Sequence, residues 1–272
     1  MRHTRLFAIF FLLTCLAARP AGAGDLRLEG NFIQGGLVIG KTQPGARVWR
    51  DGKVVQVSPS GHFLLGLGRG AAPATRIEIR YPDGRSEARG LKIARRKYKV
   101  QRIDGLPRRQ VTPGKLDLER IRREKSLLAA ARSVRSAQPL FLSGFAWPAK
   151  GRISGVYGSR RILNGKPRRP HFGLDLAAPE GTAVLAPADG VVRFAHPGMF
   201  FNGKTIILDH GLGLSTAYLH LSAVLVEPGQ AVKKGQIIAK VGATGRVTGA
   251  HLHWGLRLGA TELDPQLLVP PR

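Results

Sequence analysis

The chain has 272 residues, with 43 Lys or Arg against 17 Asp or Glu, one Cys, 35 Gly and 18 Pro. A hydrophobic fraction of 43% is too high for a disordered chain, and the length suits one large domain or two small ones. Apolar runs of mostly about four to eight residues, punctuated by so many turn formers, exclude a bundle of long helices and predict mainly strands.

At the front, Arg2 and Arg5 precede an apolar stretch over 6–18, and Ala21-Gly22-Ala23 closes it, which predicts a secretory signal peptide over 1–23. The apolar stretch, about 13 residues, is short of the roughly 20 that span a bilayer. No later run is longer. Cys15 falls inside this segment, so the expected mature chain from Gly24 has no thiol, and neither disulfides nor cysteine-ligated metal can hold it. Leu13 and Thr14 before Cys15 argue against a lipid-modified cysteine. Loss of Arg2, Arg5 and Arg19 lowers the formal charge from +26 to +23. In the cytoplasm such a balance would point to nucleic acid. Export points instead to anionic head groups and cell-wall polymers, so no nucleic-acid partner is expected, and part of the charge serves solubility.

Residues 24–100 predict a small β-sandwich-like domain. Leu37 to Ile39, Ala46 to Trp49, Val54 to Val57, His62 to Leu65 and Arg76 to Tyr81 are strand candidates, and Asp51-Gly52 and Asp83-Gly84 mark hairpin turns. From Arg95 to Arg135 the chain carries 14 Lys or Arg and 4 Asp or Glu. Residues 101–144 therefore read as a basic linker, with a helix over 115–136 whose charges form a solvated face. From 145 to 272 closely spaced strand candidates return, at Ala183 to Leu185, Gly190 to Phe194, Thr205 to Asp209, Ser215 to Leu219, Ile237 to Val241 and His251 to Leu256. Without helices between them they predict an antiparallel all-β domain.

The chemistry lies in the histidines of this last region. A strand's period of two places His251 and His253 on one face, with Leu252 on the other. His171 and Asp175, four apart, share a side of an extended segment or of a helical turn, and Gly173 and Pro179 favour the extended form. A carboxylate and imidazoles directed into one cavity are N/O ligands that suit Zn2+ better than calcium or copper.

His171-Phe172-Gly173-Leu174-Asp175, Tyr218-Leu219-His220-Leu221 and Gly249-Ala250-His251-Leu252-His253-Trp254 occur in the order and spacing of the lysostaphin-type, or LytM-like, zinc metallopeptidases. Flanking words agree, among them Ala178 to Thr182 and Thr244-Gly245-Arg246. The resemblance covers roughly 147–268. It implies that His171, Asp175 and His253 are metal ligands for zinc, and that His220 and His251 are the catalytic histidines. It further implies a zinc metalloendopeptidase hydrolysing peptide cross-links of peptidoglycan in the periplasm or cell envelope, the flanking words leaning to a D-alanyl to diaminopimelate bond over a glycine bridge. Members of the family that have lost ligands act only as activators of other wall hydrolases, and such a silent wall-binding factor is the alternative.

Of the other histidines, His210 is expected to pack or turn, and His62 and His196 to lie on the surface. Tyr218 reads as core, and Arg161 and Asn164 as cleft-wall residues. The segment 226–242 also resembles lipoyl or biotinyl carrier domains, but Lys233 and Lys234 are adjacent and Lys240 lies in a strand candidate, whereas a carrier needs one isolated lysine on a tight turn.

Overall fold

A computed structural model describes residues 26–134 and 136–272. The expected signal peptide lies outside the described residues. Among these, no helix is long and apolar enough to cross a membrane. The structure is mainly antiparallel β.

The N-terminal unit has two small sheets. One orders Arg27–Gly30, Leu37–Lys41 and His62–Gly66, the other Lys53–Val55, Arg47–Arg50, Ala74–Arg80 and Ser86–Lys92. Their sequences differ because their surroundings do. Ala74–Arg80 alternates strictly, with Thr75, Ile77 and Ile79 buried and Arg76, Glu78 and Arg80 exposed, as in a sheet with one wet face. In Leu37–Lys41 and His62–Gly66 the apolar residues run on without alternation. Val38, Phe63 and Leu65 fill the sandwich core, while Leu37 and Leu64 point the other way, into a second cluster with Phe141 of the linker and Leu212, Leu214, Leu256 and Leu263 of the C-terminal unit. Burying each such leucine contributes roughly 1.5–3 kcal/mol, and this cluster joins the two units.

The linker differs from its expected form. Val100–Ile103 is a strand that pairs in parallel with Arg160–Leu163 of the C-terminal unit, so the linker begins inside that unit's structure. A short helix, Arg108–Val111, precedes the long one, which runs Lys115–Ser133, three residues short of the expected end. Most of the long helix is solvated, but Asp117, Ile121 and Glu124 are buried, and their spacing of four and three places them on one face. Arg109 donates to both Asp117 oxygens at 2.6 and 2.8 Å, and Glu124 accepts the backbone N–H of Phe200. Specific polar anchors, more than an apolar stripe, hold this helix in place.

The C-terminal unit stacks two sheets. The larger orders Ala231–Val232, Gly190–Met199, Gly203–Gly211, Leu214–Leu221, His251–Leu258, Leu174–Ala177 and Arg152–Gly155, with Thr261–Leu263 added beside His251–Leu258. The smaller orders Ala183–Leu185, Ile237–Lys240 and Ala223–Val224. Leu174, Leu176, Val192, Ile206, Leu208, Tyr218, Ile238, Leu252 and Trp254 form the core that this unit buries. Leu174, Leu176, Leu252 and Trp254 alternate with Asp175, His251 and His253, so these two neighbouring strands turn apolar residues to the core and their polar residues to the opposite face.

Candidate active site

Asp175 stands opposite His253, and Ala177 opposite His251, in the antiparallel ladder between Leu174–Ala177 and His251–Leu258. His171 arrives from the loop before Leu174–Ala177. Its Nε2 lies 3.0 Å from Asp175 Oδ1 and 3.0 Å from His253 Nδ1, and His253 Nδ1 lies 2.8 Å from Asp175 Oδ1. Three donor atoms thus form a small triangle able to hold one metal ion. His171 Nδ1–H donates to the Val156 carbonyl at 3.1 Å, which leaves the Nε2 lone pair aimed into the triangle.

Two glycines allow the strands and rings to come this close. A Cβ at Gly155 would collide with Asp175 Oδ2, and one at Gly173 would meet the His253 ring at 2.6 Å. Arg161 holds Asp175 Oδ2 at 2.9 Å, leaving Oδ1 for the triangle. Burial alone would raise the Asp175 carboxyl, yet the His171 and His253 rings set against it hold it well below the usual carboxylate range. Burial depresses His253 to about 4 despite Asp175, so its ring is neutral at neutral pH, the state a ligand needs.

His220 reaches the same place by an unusual backbone. Leu219 pairs with His253, so regular alternation would turn His220 to the opposite face, with Tyr218. Instead His220 has φ 66, left-handed for a non-glycine residue, and its N–H donates to the Asn202 carbonyl at 2.8 Å. A conformation of this kind costs about 1–3 kcal/mol and is typical of functional sites. Its ring centroid lies 4.9 Å from that of His251 and 6.2 Å from that of His253. His220 Nδ1–H donates to the Thr244 carbonyl at 2.8 Å and His251 Nδ1–H to the Gly249 carbonyl at 2.9 Å. Each ring is thereby fixed with Nε2 available to accept a proton. Burial, reinforced by repulsion from His251 and His253, lowers His220 to about 3.

All five expected site residues therefore meet at one end of the larger sheet. The other expectations divide. Tyr218 is core. His210 is fully buried with both nitrogens engaged, by the Asp189 carbonyl and Thr216 Oγ1 at 2.7 Å each. His62 and His196 are half-buried strand residues, not surface ones, and His196 stacks on Phe194. Asn164 does not line the cleft. Its side chain bonds the backbone of Leu106 in both directions and so clamps the linker loop. The sequence reading missed Gln101, whose Oε1 accepts from Arg161 Nε at 3.3 Å, because its strand is hidden in a charge run.

The profile of peptidase family M23 matches residues 169–265. A crystal structure from Pseudomonas aeruginosa, described as an M23 peptidase, is 30% identical and covers 87% of this chain and 94% of its own, with TM-score 0.66. The chain belongs to peptidase family M23. Peptidoglycan DD-endopeptidase ShyA of Vibrio cholerae is 45% identical over 111 residues, which is 40% of this chain and 25% of ShyA. DD-carboxypeptidase/endopeptidase Mpg of Neisseria meningitidis is 40% identical over 121 residues, 44% of this chain and 27% of Mpg. The match spans about a quarter of the length of these relatives.

Proposed function

We propose that the chain is an exported zinc metalloendopeptidase that hydrolyses peptide cross-links of peptidoglycan in the periplasm or cell envelope. The triangle of His171, Asp175 and His253 beside two anchored imidazoles carries this reading. Two nitrogens and one oxygen without a thiolate are the three-ligand set of catalytic zinc. When bound, zinc supplies Lewis acidity at the scissile carbonyl and acidifies water. The chain's own part is proton handling and orientation. His220 and His251 present Nε2 from rings that the Thr244 and Gly249 carbonyls hold, one to take the proton of the attacking water and the other to steady charge at the carbonyl oxygen. Arg161 keeps the Asp175 carboxylate in place. Export rests on the pattern of residues 1–23. Peptidoglycan as substrate rests on the named activities of ShyA and Mpg, which match this part of the chain.

The test is digestion of purified peptidoglycan by the zinc-loaded mature chain, with and without chelator. Release of soluble muropeptides that stops on chelation is the expected result. Stoichiometric zinc with no turnover on walls of either cross-link type would leave a wall-binding protein instead.

A further inference from the structure

The cleft runs past the metal triangle on two sides. One arm, about 170 Å3, is lined in part by Gln101, Leu106, Ser154 and His251, and the other, about 480 Å3, in part by Val111, Ile121, Arg168 and Phe172. Arg161, Leu163, His220, Arg246 and His253 line both. Arg246 therefore stands where the two arms join, beside the reacting centre.

Four guanidinium groups, of Arg161, Arg168, Arg169 and Arg246, are gathered here, and two of them have a carboxylate. Arg161 is taken by Asp175. Arg168 lies directly opposite Arg161 in the hairpin of Arg160–Leu163 and Lys166–Arg168, a pairing of like charges that destabilises a ladder. It reaches only backbone carbonyls, of Val111 at 2.7 Å and Pro167 at 3.0 Å. Arg246 stacks on Phe201 at 4.3 Å from the ring centroid and touches the Gln110 carbonyl at 3.3 Å. Among the described residues neither Arg168 nor Arg246 has a carboxylate partner. The one acid lining the larger arm among the described residues, Glu262, is engaged by Arg257 at 3.2 Å and Arg169 at 3.6 Å. Burial, with Arg161 and Arg168 nearby, lowers Arg246 to about 10. Gathering cations in a partly enclosed cleft is unfavourable, and among the described residues only backbone carbonyls and the Phe201 ring offset the charge of Arg168 and Arg246.

We infer that Arg246, supported by Arg168, is the specificity determinant of this cleft and receives a free carboxylate that the substrate peptide carries next to the bond to be cut. A planar guanidinium gives a carboxylate two parallel hydrogen bonds, which a neutral glycine bridge cannot accept. The preferred substrate is thus an acidic cross-link. This rests on the peptidase reading of the same site.

The test uses two synthetic cross-linked peptides, identical except that the α-carboxylate next to the scissile bond is a carboxamide in one. The zinc-loaded chain should favour the carboxylate form about 10- to 100-fold in kcat/KM, chiefly through KM. In Arg246→Gln that ratio should collapse towards one. Arg246→Lys should restore part of it, since a lysine supplies charge without the fork, and Arg168→Gln should lower it less. A wild-type ratio near one, or a ratio unchanged in Arg246→Gln with its circular dichroism intact, overturns the inference. If the zinc-loaded chain cuts neither peptide, the peptidase reading fails, and fluorescence anisotropy of the same pair on the metal-free chain still decides this one. Tighter binding of the carboxylate form that Arg246→Gln abolishes upholds the assignment, and equal dissociation constants reject it.

Discussion

His210 and His220 lie on neighbouring strands of one sheet, both buried, yet one belongs to the scaffold and the other, on the proposed function, to the chemistry. His210 spends both nitrogens, on the Asp189 carbonyl and on Thr216, whose hydroxyl continues to Tyr218 at 2.7 Å. His220 spends one, on Thr244, and has no hydrogen-bond partner for Nε2 among the described residues. Burial is common to the two. What separates them is the unspent nitrogen and what it faces, which for His220 is the neighbourhood of a metal-binding triangle.

The strongest test of that contrast removes the triangle itself. His171→Ala should lower zinc affinity by more than the roughly 10- to 100-fold typical of lost supporting groups, read by chelator competition, and activity should go with the metal. Next comes the unspent nitrogen. His220→Ala and His251→Ala should each keep stoichiometric zinc while kcat falls by about 10²–10⁴. Loss of zinc in either would make it a ligand and break the division drawn here. A smaller effect is expected at His210→Ala, which strands buried polar partners at a cost of about 1–3 kcal/mol. The melting temperature should fall by several degrees while activity per folded molecule persists. A large fall in kcat with unchanged melting would move His210 into the site.

The smallest effect concerns pH. His220 and His253 are lowered by burial to about 3 and about 4, against an unfolded value of about 6.5. The unfolded chain therefore binds more protons between these values, and the sign follows. Their contribution to the stability of the metal-free chain is fully present above about pH 6.5 and is lost as pH falls towards 3–4. Thermal melts of the chelated chain from pH 7 to 5 should show that decline, with a shallower slope in His220→Gln.

Much of this was legible in the residues. The alternation of His251, Leu252 and His253 shows directly which side chains share a face, and the structure places Leu252 in the core. The unbroken apolar run of Leu37, Val38 and Ile39 belongs to a strand covered on both sides. His220 was not legible by period, because its left-handed backbone breaks the alternation that Tyr218 and Leu219 set up. Only the resemblance of its motif found it. Arg246 stands in a flanking word of the resemblance, but its meeting with Arg168 was invisible, because a cluster built from a hairpin and a distant loop leaves no local pattern, and forty-odd basic residues hide any few. The strand Val100–Ile103 was lost in the same excess of charge.

Leu37 and Leu64 carry one practical consequence. A recombinant fragment starting at 145 would bare Leu214, Leu256 and Leu263 on a greasy flank and lose Phe141 altogether, inviting self-association. It would also lack Gln101, leaving Arg161 without its neighbour. Assays on such a truncated piece would measure a damaged fold, so the N-terminal unit is better regarded as part of the foundation of the C-terminal one than as a detachable accessory.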